Sequence, residues 1–204
     1  MEREKMLNGK IYDISDKELE TLRIRARQLT KTYNDTFDTE TQKRNKILAE
    51  LMPHMGAGTY IQGPIQFDYG CFTKMGTNCY ANYNLTILDG AWVTIGNDVF
   101  FGPNCTLVTP IHPFLTNERK MRTKEDGTLY DMEYAKPITI GNGCWLASNV
   151  VVCGGVTIGN NCVIGAGSVV TKNIPDNSFA AGNPCKVIRK IIEKDSLKYR
   201  KDLY

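Results

Sequence analysis

The sequence predicts a mainly β protein: a parallel β-helix of hexapeptide repeats, with an N-terminal helical cap, an extended loop and a short C-terminal strand and tail. Three observations carry this. From Ile140 to Ile174 the chain cuts into sixes opened by Ile140, Leu146, Val152, Ile158, Ile164 and Val170, with a small or polar-small residue second and a compact one fifth. A looser run of the same period begins at Ile61. The first 55 residues differ, holding 11 of the 25 Lys+Arg and 10 of the 22 Asp+Glu, whereas Ile138 to Cys185 contains only Lys172 and Asp176. Hexapeptide units stack short strands on their copies one coil away, and each buries its aliphatic residue against its neighbours.

A chain of 204 residues is long enough for one substantial domain. Its apolar share of 42% and net charge of +3 are ordinary for a soluble enzyme and too mild for a nucleic-acid groove. No apolar run reaches the roughly 18 residues of a spanning helix, and the charged start MEREK lacks a signal peptide's apolar stretch. The expectation is a cytoplasmic protein with no membrane partner. Of seven cysteines, Cys71, Cys79, Cys105, Cys144 and Cys162 fall on the fifth position of a unit, where a thiol packs as a compact hydrophobe. With no Cys-x-x-Cys pair, neither zinc nor a disulfide framework is expected.

Taken in order, residues 1–57 form the cap. Ser15 with Glu18 offers a capping box, after which Leu19, Leu22, Ala26, Leu29 and Tyr33 line one helix face. Thr39 with Gln42 repeats the signal before Ile47, Leu48 and Leu51, and Pro53 and Gly56 stop the second helix. A cap is needed because a terminal coil exposes apolar edges. The β-helix occupies 58–185, interrupted where the period vanishes over 108–137, and a connection of that length inside a domain is usually functional. Residues 186–204 give a final strand and a basic tail with seven Lys/Arg against three acids.

Only two histidines are present, His54 and His112. His54 sits at a helix end after Pro53 and reads as structural or solvated. His112 lies in Thr109-Pro110-Ile111-His112-Pro113, where the coil phase breaks and prolines stiffen the backbone. A near-neutral imidazole there suits a general base that removes a hydroxyl proton.

Over nearly its whole length the chain resembles the maltose and galactoside O-acetyltransferases, the sugar-acetylating branch of the left-handed β-helix acyltransferases. The resemblance rests on MLNGKIYD, FDYG, ANYNLTILD, IHP, PITIGNGCWLASNV, IGAGSVVTKNIP and AAGNPCKVIR, in that order. It implies direct acetyl transfer from acetyl-CoA to a sugar hydroxyl, without a metal or a covalent acyl-enzyme, in a homotrimer with active sites between subunits. His112 would be the base, and the main-chain N–H of Ser148 the donor to the developing oxyanion. The same carry-over implies acceptor contacts for Asp13, Arg23, Asp68, Asn82 and Asp89, and for Glu133 a contact to the sugar or to the imidazole. Asp68 and Asn82 also fall at coil corners, where polar residues cap turns.

On the coenzyme side the resemblance implies Asn82, Trp145, Ser148 and Ala166, with Thr171 and Lys172 near the nucleotide and Lys186 and Arg189 on its phosphates. Lys172 is the one cation between Ile138 and Cys185, so an anion is its expected partner. Trp145 takes the sixth position of its unit, which points to exposure rather than core. Asp68 and Glu133, where the galactoside enzyme has serine and methionine, favour the maltose type. Lys186, for an arginine, weakens bidentate phosphate binding without abolishing it.

Three alternatives stand beside this. A carbonic-anhydrase-like member of the fold needs three histidines on a metal, and two do not supply them. A xenobiotic or serine acetyltransferase shares the repeats and a loop histidine but differs in its N-terminal region. A non-catalytic β-helix scaffold would have no use for His112, Trp145 and Lys172 together.

Overall fold

The computed structural model describes residues 1–203. Short strands wind into a three-sided prism. Its first face holds His54–Met55, Thr73–Met75, Val93–Ile95, Ile138–Ile140 and Thr157–Ile158; its third holds Ile65–Phe67, Leu85–Leu88, Thr106–Val108, Val151–Cys153 and Val169–Val170. The second face runs from Tyr60–Ile61 through Tyr80–Ala81, Phe100–Phe101, Trp145–Leu146 and Val163–Ile164 to Ser178–Ala181 and Lys186–Lys190. Pairing along the stack is parallel and in register, as in Thr86 to Thr106 to Val151; only the last pair is antiparallel. The stack begins at His54, inside the stretch expected to belong to the cap.

Every aliphatic residue opening a unit from Ile140 to Val170 is buried, and together they form the axial core. Cys79, Cys105, Cys144 and Cys162 are buried beside them, and their thiols donate to interior carbonyls of the next coil, such as Cys144 Sγ to Gly159 O at 3.0 Å. Cys71 is only half-buried. One further position is constrained. The fourth residue of a unit is left-handed, at Asn78, Asn84, Asp98, Asn104, Asn149 and Asn161, and at Gly143 and Gly167. That conformation crowds Cβ against the carbonyl, and Asn, Asp and Gly tolerate it best.

The three edges of the prism differ. Along the first, between faces one and two, side-chain carbonyls form a ladder: Thr77 N–H donates to Asn97, Asn97 N–H to Asn142, Asn142 N–H to Asn160 and Asn160 N–H to Asp176, at 2.8–2.9 Å. At matching positions of the second edge stand Tyr83, Pro103, Ser148 and Ala166, and no such ladder forms.

In the cap, α1 (Glu2–Leu7) precedes α2 (Lys17–Asn34) and α3 (Thr41–Leu51). Periodicity did not mark α1. Asp16, not Ser15, caps α2, its Oδ1 accepting from Glu18 N at 3.0 Å and Leu19 N at 3.3 Å. Ser15 is held by Asp13 instead. Glu40, not Thr39, precedes α3, and its carboxylate accepts from Phe37 N–H. Leu19, Ala26 and Tyr33 are buried as their spacing predicts. Arg44, almost wholly buried, donates to the Tyr33 hydroxyl and to Ile61 O, closing the first coil. A buried guanidinium with several acceptors is tolerable; without them it is not.

The excursion is ordered. Pro110–Ile111 pairs antiparallel with Met132–Ala135, which pairs with Tyr12–Asp13 of the cap, so three distant segments make one small sheet. Beyond it lie a helical turn, α4 (Thr116–Arg119), and a hairpin of Arg122–Thr123 with Leu129–Tyr130. Among the described residues no helix is long and apolar enough to cross a membrane.

Candidate active site

His112 follows the last paired residue of the Pro110–Ile111 strand, and its side chain is 47% exposed. Opposite, the returning strand alternates, so Asp131 and Glu133 project to one side. They flank the ring: Nδ1 lies 3.8 Å from Asp131 Oδ2, and Nε2 lies 3.6 Å from Glu133 Oε2. Glu133 also accepts a hydrogen bond from the hydroxyl of Tyr12, a buried residue of the cap. Burial raises the Glu133 carboxyl above its usual range, against the opposing effect of the Tyr12 bond, and burial with the neighbouring Glu133 charge raises the Tyr12 phenol. Asp131 is buried, and its Oδ1 has no hydrogen-bond partner.

Asp68 sits at the corner after Ile65–Phe67, where burial raises its pKa and the charges of Arg27 and Arg23 pull it back. Arg23 is engaged, donating to the Tyr69 hydroxyl at 3.0 Å and to Ile14 O at 2.7 Å. Asp13 pairs with Lys124 of the excursion at 2.5 Å and accepts from Ser15, bonds that outweigh burial and leave its carboxyl below its usual range. Asp89 departs from expectation. It is 0% exposed, accepts from Tyr69 N–H at 2.8 Å and the Thr73 hydroxyl at 3.0 Å, and burial pushes its pKa up to about 6. An enclosed carboxylate with both oxygens occupied supports the corner beneath Asp68 instead of meeting an acceptor.

The remaining residues divide between edges. Asn82, Ser148 and Ala166 stand on the second edge, stacked by bonds such as Asn104 N to Tyr83 O, Asn149 N to Pro103 O and Gly167 N to Ser148 O. Asp68, Asp89, the roots of the excursion, Thr171 and Lys172 lie on the third, between faces three and one. The Ser148 and Ala166 N–H groups have no acceptor among the described residues, unlike the amides of the first edge. Gly102 keeps this place open, since a Cβ there would meet Ser148 N at 2.7 Å. Trp145 is half-exposed on the second face, as its place in the unit predicts. Lys186 and Arg189 are on the exposed final strand, and Arg189 is held in a two-pronged pair with Asp195 at 2.7 Å. The phosphate contact expected of it is therefore occupied by the protein's own tail.

A strand of three or four residues, about 10–13 Å, separates the second edge from the third. A base works within about 3 Å of its proton. His112 belongs to the excursion rooted on the third edge, and Ser148 stands on the second. Asp131, Tyr12 and Gly102 escaped the sequence reading; the available signal for Asp131 was its two-residue offset from Glu133. Among the described residues no group of three or more His, Cys, Asp or Glu is placed to hold a metal ion.

Residues 5–56 match the maltose acetyltransferase hexapeptide capping motif, and residues 137–172 match the bacterial transferase hexapeptide model of six repeats. The chain is 42% identical over 199 residues to the galactoside O-acetyltransferase of Escherichia coli (strain K12), covering 98% of this chain and 94% of that one. It belongs to the maltose and galactoside O-acetyltransferase family of hexapeptide-repeat enzymes. Among solved structures, a maltose O-acetyltransferase from Clostridium difficile 630 superposes with a TM-score of 0.87 at 40% identity, covering 95% of this chain and 98% of that chain. A galactoside acetyltransferase in complex with coenzyme A gives the same TM-score and identity, covering 96% and 93%. Overall likeness to family members thus does not separate the maltose from the galactoside branch.

Proposed function

We propose that this chain moves acetyl from acetyl-CoA to a hydroxyl of a hexose or disaccharide, with His112 as general base, in a cytoplasmic homotrimer whose active sites lie between neighbours. The observation that carries the reading is His112 itself: a half-exposed imidazole held outside the coil on a three-segment sheet between two carboxylates. The capping motif and the family likeness support a sugar as acceptor. The free amides at Ser148 and Ala166, on a different edge from His112, support a neighbour completing the site.

Acetyl-CoA supplies the activated thioester. His112 takes the hydroxyl proton as the oxygen bonds to the carbonyl carbon, and returns it to the sulfur as the carbon–sulfur bond breaks. The Ser148 N–H donates to the carbonyl oxygen as charge grows there. Asp68, Arg23 and Glu133 offer the acceptor a carboxylate, a guanidinium and a second carboxylate beside the ring, and Lys172 and Lys186 meet the phosphates.

Free-thiol release from acetyl-CoA with glucose, maltose, galactosides and amino sugars tests this. His112→Ala is expected to lower turnover by about 10² to 10⁴ while leaving the fold intact. Parental rates in that variant contradict the mechanism, and silence across the whole panel favours a non-catalytic scaffold.

A further inference from the structure

We propose that Asp131 is the positioning residue for His112, accepting the Nδ1–H so that Nε2 keeps its lone pair for the acceptor hydroxyl. This rests on His112 being the base. Three observations single out Asp131 over Glu133. The Asp131 carboxylate is buried, and its Oδ1 is without a partner. A buried carboxylate without a donor is costly, so the nearest N–H has strong reason to turn toward it. The His112 Nδ1 lies 3.8 Å from the other oxygen of that carboxylate, Oδ2, and less than 1 Å of movement closes a bond to it. Glu133, by contrast, already accepts the Tyr12 hydroxyl. Its other oxygen, 3.6 Å from Nε2, is free to receive a hydroxyl hydrogen of the acceptor beside the nitrogen that takes the reacting proton.

The backbone supports this division. Ile111 is paired with Tyr134 and Pro110 with Ala135, so the strand that carries the two carboxylates is fixed to the strand that ends at His112. Tyr12 is paired with Glu133 in backbone register as well as through its hydroxyl, which holds Glu133 toward the cap. The titratable and charged groups about the ring and its two carboxylates are then Asp131 and Glu133 from the returning strand, Tyr12 from the cap, and Asp68 and Tyr69 from the coil corner with Arg23 bonded to Tyr69, while Asp13 and Lys124 pair at the rim of the same sheet. A carboxylate at Nδ1 fixes the tautomer and favours the imidazolium formed when the base is protonated.

The test uses the full-length protein. Asp131→Asn keeps volume and removes the charge, and is expected to lower kcat by about ten- to a hundredfold with KM for both substrates little changed. The lower limb of its kcat/KM pH profile is expected to move to more acid pH, and Asp131→Glu to recover part of kcat. Glu133→Gln is expected to raise KM for the sugar and leave the Nδ1–H tautomer of His112 in place. Imidazole ¹⁵N spectra, assigned with a His54→Gln variant, are expected to show the Nδ1–H tautomer of His112 in the parent and its loss in Asp131→Asn. A parental tautomer, pH limb and kcat in Asp131→Asn overturn the proposal, as does loss of the tautomer in Glu133→Gln alone. Because the spectra are read without turnover, they remain decisive if His112→Ala proves active, which would overturn the assignment of the base and not the Asp131 contact.

Discussion

Two edges of one prism, built from the same six-residue unit, have opposite character. On the first, each outward amide is met by an asparagine or aspartate side chain one coil further on, from Thr77 to Asp176. On the second, the matching positions are Tyr83, Pro103, Ser148 and Ala166; Tyr83 N–H meets the neighbouring Asn82 Oδ1 within its own coil, the proline has no N–H, and the other two amides have no acceptor among the described residues. A repeat that needs only a left-handed fourth residue and an aliphatic first one leaves its third position free to vary. One edge uses that freedom to satisfy the backbone internally, and the other leaves two donors unpaired among the described residues.

Breaking the open edge has the largest expected effect. Proline already occupies the equivalent place at Pro103, so Ser148→Pro fits the coil and deletes one N–H. Loss of a single oxyanion donor costs about 10² to 10³ in kcat, and thiol release is expected to fall by that factor with an unchanged melting temperature. Grafting the ladder onto the open edge gives the next effect. In Ala166→Asn the new side-chain carbonyl is placed to accept from Ser148 N–H as Asn160 accepts from Asn142, and turnover is expected to fall about tenfold, one hydrogen bond's worth, while thermal stability rises slightly. The smallest effect belongs to the sealed edge. Asn142→Ala removes the acceptor of Asn97 N–H, and denaturant titration is expected to show a loss of about 1 kcal/mol with kcat unchanged.

The coil was legible because burial enforces its period: Ile140, Leu146, Val152, Ile158, Ile164 and Val170 all point inward. The left-handed fourth residue escaped because it is a backbone demand that leaves no hydrophobic trace. Ser15 and Asp16 compete for one cap, and the choice was settled by Asp13, which holds Ser15. His112 stood out as one of two histidines at a break in the repeat. Asp131 did not, because its contact depends on a sheet joining residues 12–13, 110–111 and 132–135, and no local pattern connects segments so far apart. Asp89 reads as one more polar corner residue; only the packed structure encloses it.

Mixing chains tests most directly whether two edges from two copies make one site. His112→Ala and Ser148→Pro subunits, each inactive alone, are to be unfolded, mixed in equal amounts and reassembled, and thiol release measured. If neighbouring chains each contribute one edge, activity returns to about a quarter of the parental rate, the share of interfaces that chance assembly gives an intact pair. Mixed assemblies as inactive as either parent variant would contradict the account.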